Sequence, residues 1–358
     1  MKRKVLISSG GSGGHIIPAS VFYDHLKEDF DVLFLFDKRG SNFINKDNFN
    51  YKIIESPRLS VNPFKIPVIF INFFISIIKS IFLIKNNNID ILIGTGGYMS
   101  IPVSIAAKLL GIKIYLFEPN LVLGRANKFL IRYCSRIFCY SKEIFNFPKK
   151  YEKKIYLIDH ILRKNIYKSN NIEKKEIKDK INLLIIGGSQ GAKFFNDNLK
   201  KSVIEIAKKY KIKVYHQASS IDLMDLRTFY KNNQIENEIF DFKENIFEYI
   251  KEANIAITRS GASTLSELAF LNVPFIAIPY KFAKDNHQLE NALYYEKKDC
   301  CWILKEETFD QNILTTLLLN IIEDKESYLS KKKNLENFFT KNKWKNINEK
   351  IINCLNEN

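Results

Sequence analysis

The sequence predicts an α/β protein of two doubly wound, Rossmann-like parallel-sheet domains facing one another across a cleft. Three observations carry that expectation. Short apolar runs alternate with helical patterns along the whole chain, as in βα units whose strands are covered on both faces. Twice, the first strand of a half runs into a glycine-rich turn, at Gly10–Gly14 and again at Gly187–Gly191. Between the halves lies RKNIYKSNNIEKKEIKDK (Arg163–Lys180), whose polar, lysine-rich composition suits a linker and the entry to a second domain. The expected domains are 1–162 and 163–335, with 336–358 a C-terminal helix able to pack back on the first.

Taken in order, the apolar runs of the first half predict strands at Lys4–Ser9, Asp31–Asp37, Tyr51–Glu55, Asp90–Thr95, Lys113–Phe117, Arg136–Tyr140 and Lys154–Ile158. The second half predicts Ile181–Gly187, Lys213–Gln217, Glu238–Phe242, Ile255–Arg259, Pro274–Pro279 and Cys301–Leu304. Runs such as VLFLF and NLLIIG lack the alternation of a half-exposed strand. One helical segment stands apart: Pro63–Lys85, PFKIPVIFINFFISIIKSIFLIK, is the most apolar stretch of the chain. Its residues Asn72, Ser76, Lys79 and Ser80 recur at spacings of three and four, predicting one narrow polar stripe with Ile and Phe elsewhere. A spanning helix wants ~20 predominantly apolar residues, and here an Asn and a Lys interrupt the run. A buried crossover helix and a helix offering its apolar face to a membrane surface both fit.

Composition excludes a mainly disordered chain, since 46% of the 358 residues are hydrophobic. The formal net charge is +16, and most of the excess sits before His160. A basic first half suits an anionic membrane surface, phosphorylated substrates or nucleic acid. Lys, Ile and Asn are abundant throughout, so the charge need not mean nucleic acid, and none is expected as a partner. The five cysteines, Cys134, Cys139, Cys300, Cys301 and Cys354, show no CxxC spacing. Free thiols in a reducing cytoplasm are therefore expected rather than disulfides or a zinc site. The opening MKRKVLISSGGSGG has too short an apolar run for a signal peptide and reads as a first strand.

Four constellations can carry chemistry. GGSGGH (Gly10–His15) joins a strand to a helix at Ile16–Lys27, where glycine amides and the helix dipole suit an anion. It lacks the Gly-Lys-Ser/Thr of a P-loop and the third glycine of GxGxxG, although Asp37 stands where a dinucleotide fold holds a ribose. An NAD(P)-type reading therefore stays open. His15 begins the helix, where the dipole favours a neutral ring that can accept a proton; capping the turn is its simpler role. GGSQGA (Gly187–Ala192) repeats the strand–turn–helix pattern. In TRSGASTLSELA (Thr258–Ala269) a helix starts near Ala262, its first turn lined by Ser263 and Thr264, a ready diphosphate site. Glu267, one turn on, can accept both hydroxyls of a ribose. KDNHQLENA (Lys284–Ala292) follows a strand with a dense set of amides suited to sugar hydroxyls.

With GGSGGHIIPA, IGTGGYMSIP, GGSQGA, His216–Gln217, RSGASTLSE and the DNHQ–NA cluster in one order, the chain resembles the MurG family. These are the UDP-N-acetylglucosamine:N-acetylmuramyl-(pentapeptide)-diphosphoryl-undecaprenol N-acetylglucosaminyltransferases of peptidoglycan synthesis. The likeness runs from the first strand to about Ile322. It implies the GT-B fold, a C-terminal domain binding UDP-GlcNAc, and an N-terminal domain binding the membrane-anchored acceptor, lipid I. Carried over by motif, the donor side comprises Ser189, the backbone at Lys243, and Ala262, Ser263, Thr264, Leu265, Ser266 and Glu267. Glu267 takes the ribose, Gln288 the GlcNAc hydroxyls, and Arg163 the phosphates. Ser12, Gly13, Gly14 and Asn120 reach in from the other domain. The helix Val68–Ile84 and nearby lysines correspond to the family's membrane-docking surface, which implies a peripheral place on the cytoplasmic face of the inner membrane. The chain departs from the family pattern at FEPN (Phe117–Asn120), at DHILR (Asp159–Arg163) and at Lys243.

The implied reaction is an inverting transfer in which the C4 hydroxyl of MurNAc attacks the anomeric carbon of GlcNAc and UDP leaves. His15 is the candidate base, with Glu118, Asp37 or a water as alternatives. Donors at Ala262–Thr264 and Arg163 would stabilise the leaving diphosphate. With no DxD pair in these motifs, neither a metal nor another cofactor is expected. Rival readings are a related GT-B enzyme with another lipid acceptor, an NAD(P)-dependent oxidoreductase, and a non-catalytic membrane-associated partner.

Overall fold

Runs of Val, Ile, Leu and Phe, inward-facing on both sides, become the strands of two all-parallel sheets. In the computed structural model the described residues are 2–54, 66–167, 177, 180–188, 193–241 and 246–357. They divide into two units: unit 1, Met1–Lys164 with Trp344–Asn358, and unit 2, Asn165–Lys343.

Unit 1 holds β1 (Lys4–Ser8), β2 (Asp31–Phe36), β3 (Tyr51–Ile53), β4 (Ile91–Gly94), β5 (Lys113–Glu118), β6 (Arg136–Cys139) and β7 (Ile155–Leu157). Their order is β3-β2-β1-β4-β5-β6-β7. β1 is central: Val5 pairs with Val32 on one side and Ile91 on the other. Unit 2 holds β8 (Lys180–Ile186), β9 (Lys211–Gln217), β10 (Glu236–Phe240), β11 (Ile255–Thr258), β12 (Phe275–Ala277) and β13 (Cys301–Ile303). Their order is β10-β9-β8-β11-β12-β13. Each expected strand has its counterpart; the expected ends at Glu55 and Phe242 lie outside the described residues. In both sheets the strand order reverses beside the first strand, where ligands bind at the strands' carboxyl ends in open α/β sheets.

The helices α1 (Gly13–Leu26), α2 (Ile66–Asn86), α3 (Ser100–Leu109) and α4 (Arg125–Leu130) belong to unit 1. Between sheet and helices its core packs Leu6, Leu92, Leu116 and Val103; unit 2 packs Leu183, Val214, Ile257 and Phe195 in the same way. The helix Trp344–Asn356 also joins unit 1, burying Ile347, Ile351, Cys354 and Leu355. There Trp344 stacks on His25 at 3.6 Å, and Tyr115 Oη donates to the Cys354 carbonyl at 3.2 Å.

α2 corrects the expected stripe. Ser76 and Ser80 are buried where α2 packs on α3, each hydroxyl donating to the carbonyl one turn back, whereas Asn72 and Lys79 are exposed. Small side chains let the helices approach, and the Phe and Ile residues are left pointing outward. Phe70 is 70% exposed, Phe74 63% and Phe82 61%. A buried crossover helix is thereby overturned. Pro67–Asn86 is long and apolar enough to cross a membrane, with only 17% of its apolar window buried.

Candidate functional site

In unit 1 the switch point is built by two glycine turns pressed backbone to backbone. Gly97, after β4, has φ +80°, and a Cβ there would lie 2.5 Å from the Gly10 carbonyl oxygen. The GGSGGH and TGGYMS motifs thus share one place, and a side chain at Gly97 would separate them. Asp37 fixes the first turn: its Oδ1 accepts the N–H groups of Gly11 (3.1 Å) and Gly40 (2.9 Å). Its other oxygen lies 3.5 Å from Arg39. The carboxylate that an NAD(P) reading would place on a ribose is engaged in shaping this turn.

Ser12 opens α1, its carbonyl accepting the N–H groups of His15 (3.0 Å) and Ile16 (3.1 Å). The N–H groups of Gly13 and Gly14 take no partner among the described residues, leaving donors at the positive end of a 14-residue helix. His15 is half-buried, and its Nδ1 stands 3.0 Å from the Thr95 carbonyl. A carbonyl only accepts, so it is Nδ1 that carries a proton in this contact, and the basic nitrogen of the singly protonated ring would be Nε2.

Glu118, the alternative candidate, closes β5. It is 2% exposed at the end of β5, ringed by N–H donors. Oε2 accepts from Gly124 N (2.8 Å) and Asn127 Nδ2 (2.9 Å), and Oε1 from Asn120 N (3.2 Å) and Nδ2 (3.0 Å). Burial pushes its pKa up while these four donations pull it down. Its geometry is that of a strut folding the Asn120–Gly124 loop. Asn127, to which the sequence assigned nothing, also donates to the Phe117 carbonyl at 3.0 Å, and its own Oδ1 is buried with no partner among the described residues. Arg163 is half-buried in unit 1, adjoining the buried Ile161 and Leu162.

In unit 2 the helix Ala262–Phe270 leaves the end of β11 through Ser260 and Gly261. Its first intrahelical bond runs from Leu265 N to the Gly261 carbonyl (3.0 Å). The N–H groups of Ala262, Ser263 and Thr264 take no partner among the described residues, and all three residues are partly exposed. Beyond that turn the helix goes inward. Leu265 is a core residue, and the Ser266 hydroxyl donates to the Ala262 carbonyl (2.8 Å), so these two offer a ligand little but backbone. Glu267 is 3% exposed.

Gln288 joins this turn to the exit of β12. Its Oε1 accepts Ser260 N–H (3.2 Å) and Tyr280 N–H (2.9 Å). Two N–H donors demand oxygen there, so the amide NH₂ is the end left to a ligand. Asn291 Nδ2 donates to the Ser260 carbonyl at 3.1 Å. Arg259, which the sequence marked only as part of a motif, is 7% exposed and pairs with Glu306 at 2.6 Å. Burial lowers its pKa and the Glu306 carboxylate opposes that. Ser189 and Lys243 lie outside the described residues. Among the described residues no cluster of three or more His, Cys, Asp or Glu is placed to hold a metal.

The structure thus gathers Ser12, Gly13, Gly14 and His15 around one turn of unit 1, with Glu118 and Asn120 in a loop of the same unit. In unit 2 it gathers Ala262–Thr264 and Gln288. Thr95, Arg259 and Glu306 escaped the sequence reading because each acts through a partner 80 or 47 residues away along the chain, and Asn127 because its partners, nine and ten residues back, meet it only through the fold of the intervening loop.

Residues 5–139 match the glycosyltransferase family 28 N-terminal domain, and residues 182–350 its C-terminal domain. A Pelagibacter ubique protein is 49% identical over the full length of both chains. A Rickettsia canadensis protein is 32% identical over 90% of this chain and 91% of its own. Both are UDP-N-acetylglucosamine–N-acetylmuramyl-(pentapeptide) pyrophosphoryl-undecaprenol N-acetylglucosamine transferases. Among solved structures, Acinetobacter baumannii MurG superposes with a TM-score of 0.76 at 20% identity, covering 99% of this chain and 100% of that one. A Polygonum tinctorium UDP-glucosyltransferase does so with a TM-score of 0.73 at 11% identity, covering 100% and 99%. At these identities the structures speak for the fold alone, and it is the GT-B fold.

Proposed function

The chain belongs to glycosyltransferase family 28, and from that premise we propose that it transfers GlcNAc from UDP-GlcNAc to the C4 hydroxyl of MurNAc in lipid I. The product is lipid II, with inversion at the anomeric carbon. The observation that carries this reading is the 49% identity to the Pelagibacter transferase over the whole of both chains.

In this reading the donor belongs to unit 2. The diphosphate meets the amides of Ala262, Ser263 and Thr264, and the Gln288 NH₂ meets a sugar hydroxyl. Glu267 takes the ribose, and Ser189 and the Lys243 backbone complete the donor set. Arg163 is read as meeting the phosphates, and Ser12–Gly14 and Asn120 as serving the acceptor. His15 Nε2 takes the C4 hydroxyl proton as the oxygen forms its bond to the anomeric carbon. The bond from that carbon to the diphosphate breaks, and UDP departs with its electron pair. Fixed N–H donors stabilise the charge that develops on the leaving oxygen. The engagement of Asp37 by Gly11 and Gly40 counts against the oxidoreductase rival.

The outward Phe and Ile face of α2, flanked by Lys79 and Lys85, is read as the surface that seats the enzyme peripherally on the cytoplasmic leaflet. UDP release from UDP-GlcNAc that depends on a lipid I analogue is the deciding measurement. No release, or equal release without acceptor, would overturn the reaction. Phe74→Asp is expected to abolish sedimentation with anionic vesicles while sparing turnover on a short-chain, soluble acceptor; undiminished sedimentation would sink the docking surface.

A further inference from the structure

Arg259 occupies the middle of the donor-side geometry without belonging to any group assigned to the donor. Its Nη1 donates to the carbonyls of Ile278 (3.1 Å) and Pro279 (3.4 Å) and to Glu306 Oε2 (2.6 Å). The guanidinium carbon lies 5.0 Å from the Phe194 ring centroid and 4.9 Å from that of Phe195. Each partner adjoins a donor-side segment. The two Phe residues begin the helix that follows GGSQGA, Pro279 precedes Tyr280, and Arg259 itself precedes Ser260. Ser260 and Tyr280 are the residues whose N–H groups Gln288 Oε1 accepts. A single side chain therefore fastens both backbone segments that aim the Gln288 amide.

We propose that Arg259, neutralised by Glu306, is a positioning residue that fixes the Gln288 amide and so sets recognition of the donor sugar; this rests on reading Gln288 as the sugar's ligand. Both side chains of the pair are almost fully buried, at 8% and 7% exposure. Such a pair adds little net stability, because desolvation offsets its attraction; what it supplies here is geometry. The three bonds all leave Nη1, whose two N–H groups are shared among two carbonyls and a carboxylate, while the guanidinium plane packs on the two rings; a lysine ammonium lacks that plane and the length of reach that comes with it.

The test uses the full chain with Arg259→Lys, Gln288→Ala and the double variant, titrated with UDP and with UDP-GlcNAc. Arg259→Lys should leave UDP affinity within about twofold and weaken UDP-GlcNAc roughly tenfold, and the double variant should be no weaker than Gln288→Ala alone, as coupled residues behave. A second readout needs no ligand: amide exchange at Ser260 and Tyr280 should quicken in Arg259→Lys, with β8 and β9 unchanged. Equal losses for UDP and UDP-GlcNAc, additive losses in the double variant, or unaltered protection of those two amides would each overturn the proposal. If Arg259→Lys does not fold, Glu306→Gln carries the same readouts, since it strips the counter-charge but keeps an acceptor. Wild-type protein that fails to bind UDP-GlcNAc would instead overturn the donor reading, while the exchange result still judges what Arg259 holds in place.

Discussion

At the end of β1 the chain turns into α1 under the hold of Asp37, a carboxylate receiving backbone N–H groups. At the end of β11 it turns into the Ala262–Phe270 helix under the hold of Gln288, an amide oxygen receiving backbone N–H groups. The scaffolds correspond, yet what they leave over differs. In unit 1 two carboxylates near the switch point, Asp37 and Glu118, are taken up by the N–H groups of loops and their amide side chains, and the His15 ring is held on the Thr95 carbonyl. Unit 2 confines the Arg259 guanidinium with Glu306 and, among the described residues, leaves the N–H groups of Ala262–Thr264 without an acceptor. On the proposed reading, one half takes a proton and the other holds an anion. In a doubly wound fold, then, the chemistry of each half depends on which polar groups the loops consume.

The largest expected effect tests the proton-accepting half. His15→Ala should lower kcat by ~10²–10⁴, the usual contribution of a placed base, with UDP-GlcNAc affinity unchanged. Near-normal turnover would return His15 to helix capping and make the halves alike. Next comes the anion-holding half. Glu267→Ala should weaken UDP-GlcNAc binding by roughly 10–100-fold, the loss of hydrogen bonds to a charged group, and leave the acceptor KM in place; a shift in the acceptor KM alone would put Glu267 on the wrong substrate.

Each unit also buries one histidine with a depressed pKa. Burial brings His25 in unit 1 and His216 in unit 2 from 6.5 down to about 3. Below pH 6.5 the unfolded chain takes up protons that the folded chain refuses. The stability from each ring is therefore complete above 6.5 and drains away as pH falls toward 3, at up to ~1.4 kcal/mol per pH unit. Urea midpoints at pH 7 and pH 5 should converge in His25→Phe for unit 1 and in His216→Phe for unit 2. Acid sensitivity untouched by either substitution would remove burial of these rings as its cause. The smallest effect is at Asp37. Asp37→Asn keeps the accepting oxygen and loses only a partly exposed pair with Arg39, so stability should move by less than ~1 kcal/mol. NADH should give no thermal shift where UDP gives one; the reverse would revive the nucleotide-redox reading.

Strands and glycine turns were legible because their signals are local: an unbroken apolar run, then glycines, then helical periodicity. The facing of α2 was not. Ser76 and Ser80 sit at the spacing of a polar stripe, and only α3 decides that they face protein rather than solvent. Glu118 was visible as a carboxylate at a strand end, but its engagement depends on amides supplied by Asn120, Gly124 and Asn127. The orientation of Gln288 is dictated by backbone at Ser260 and Tyr280, and Arg259 finds Glu306 47 residues away. Residue types announce what chemistry is available; which of it remains for a ligand is decided by distant loops.

The return of Trp344–Asn356 to unit 1 has a consequence for biosynthesis. His25 and Tyr115 wait for Trp344 and Cys354, so the portion translated first is the last to be finished. Until those final turns leave the ribosome, unit 1 carries an uncovered apolar seam while all of unit 2 is being made. A nascent chain halted after Lys343 should therefore hold a complete second half and an unsealed first, and proteolysis of stalled complexes would find the cuts in the older segment.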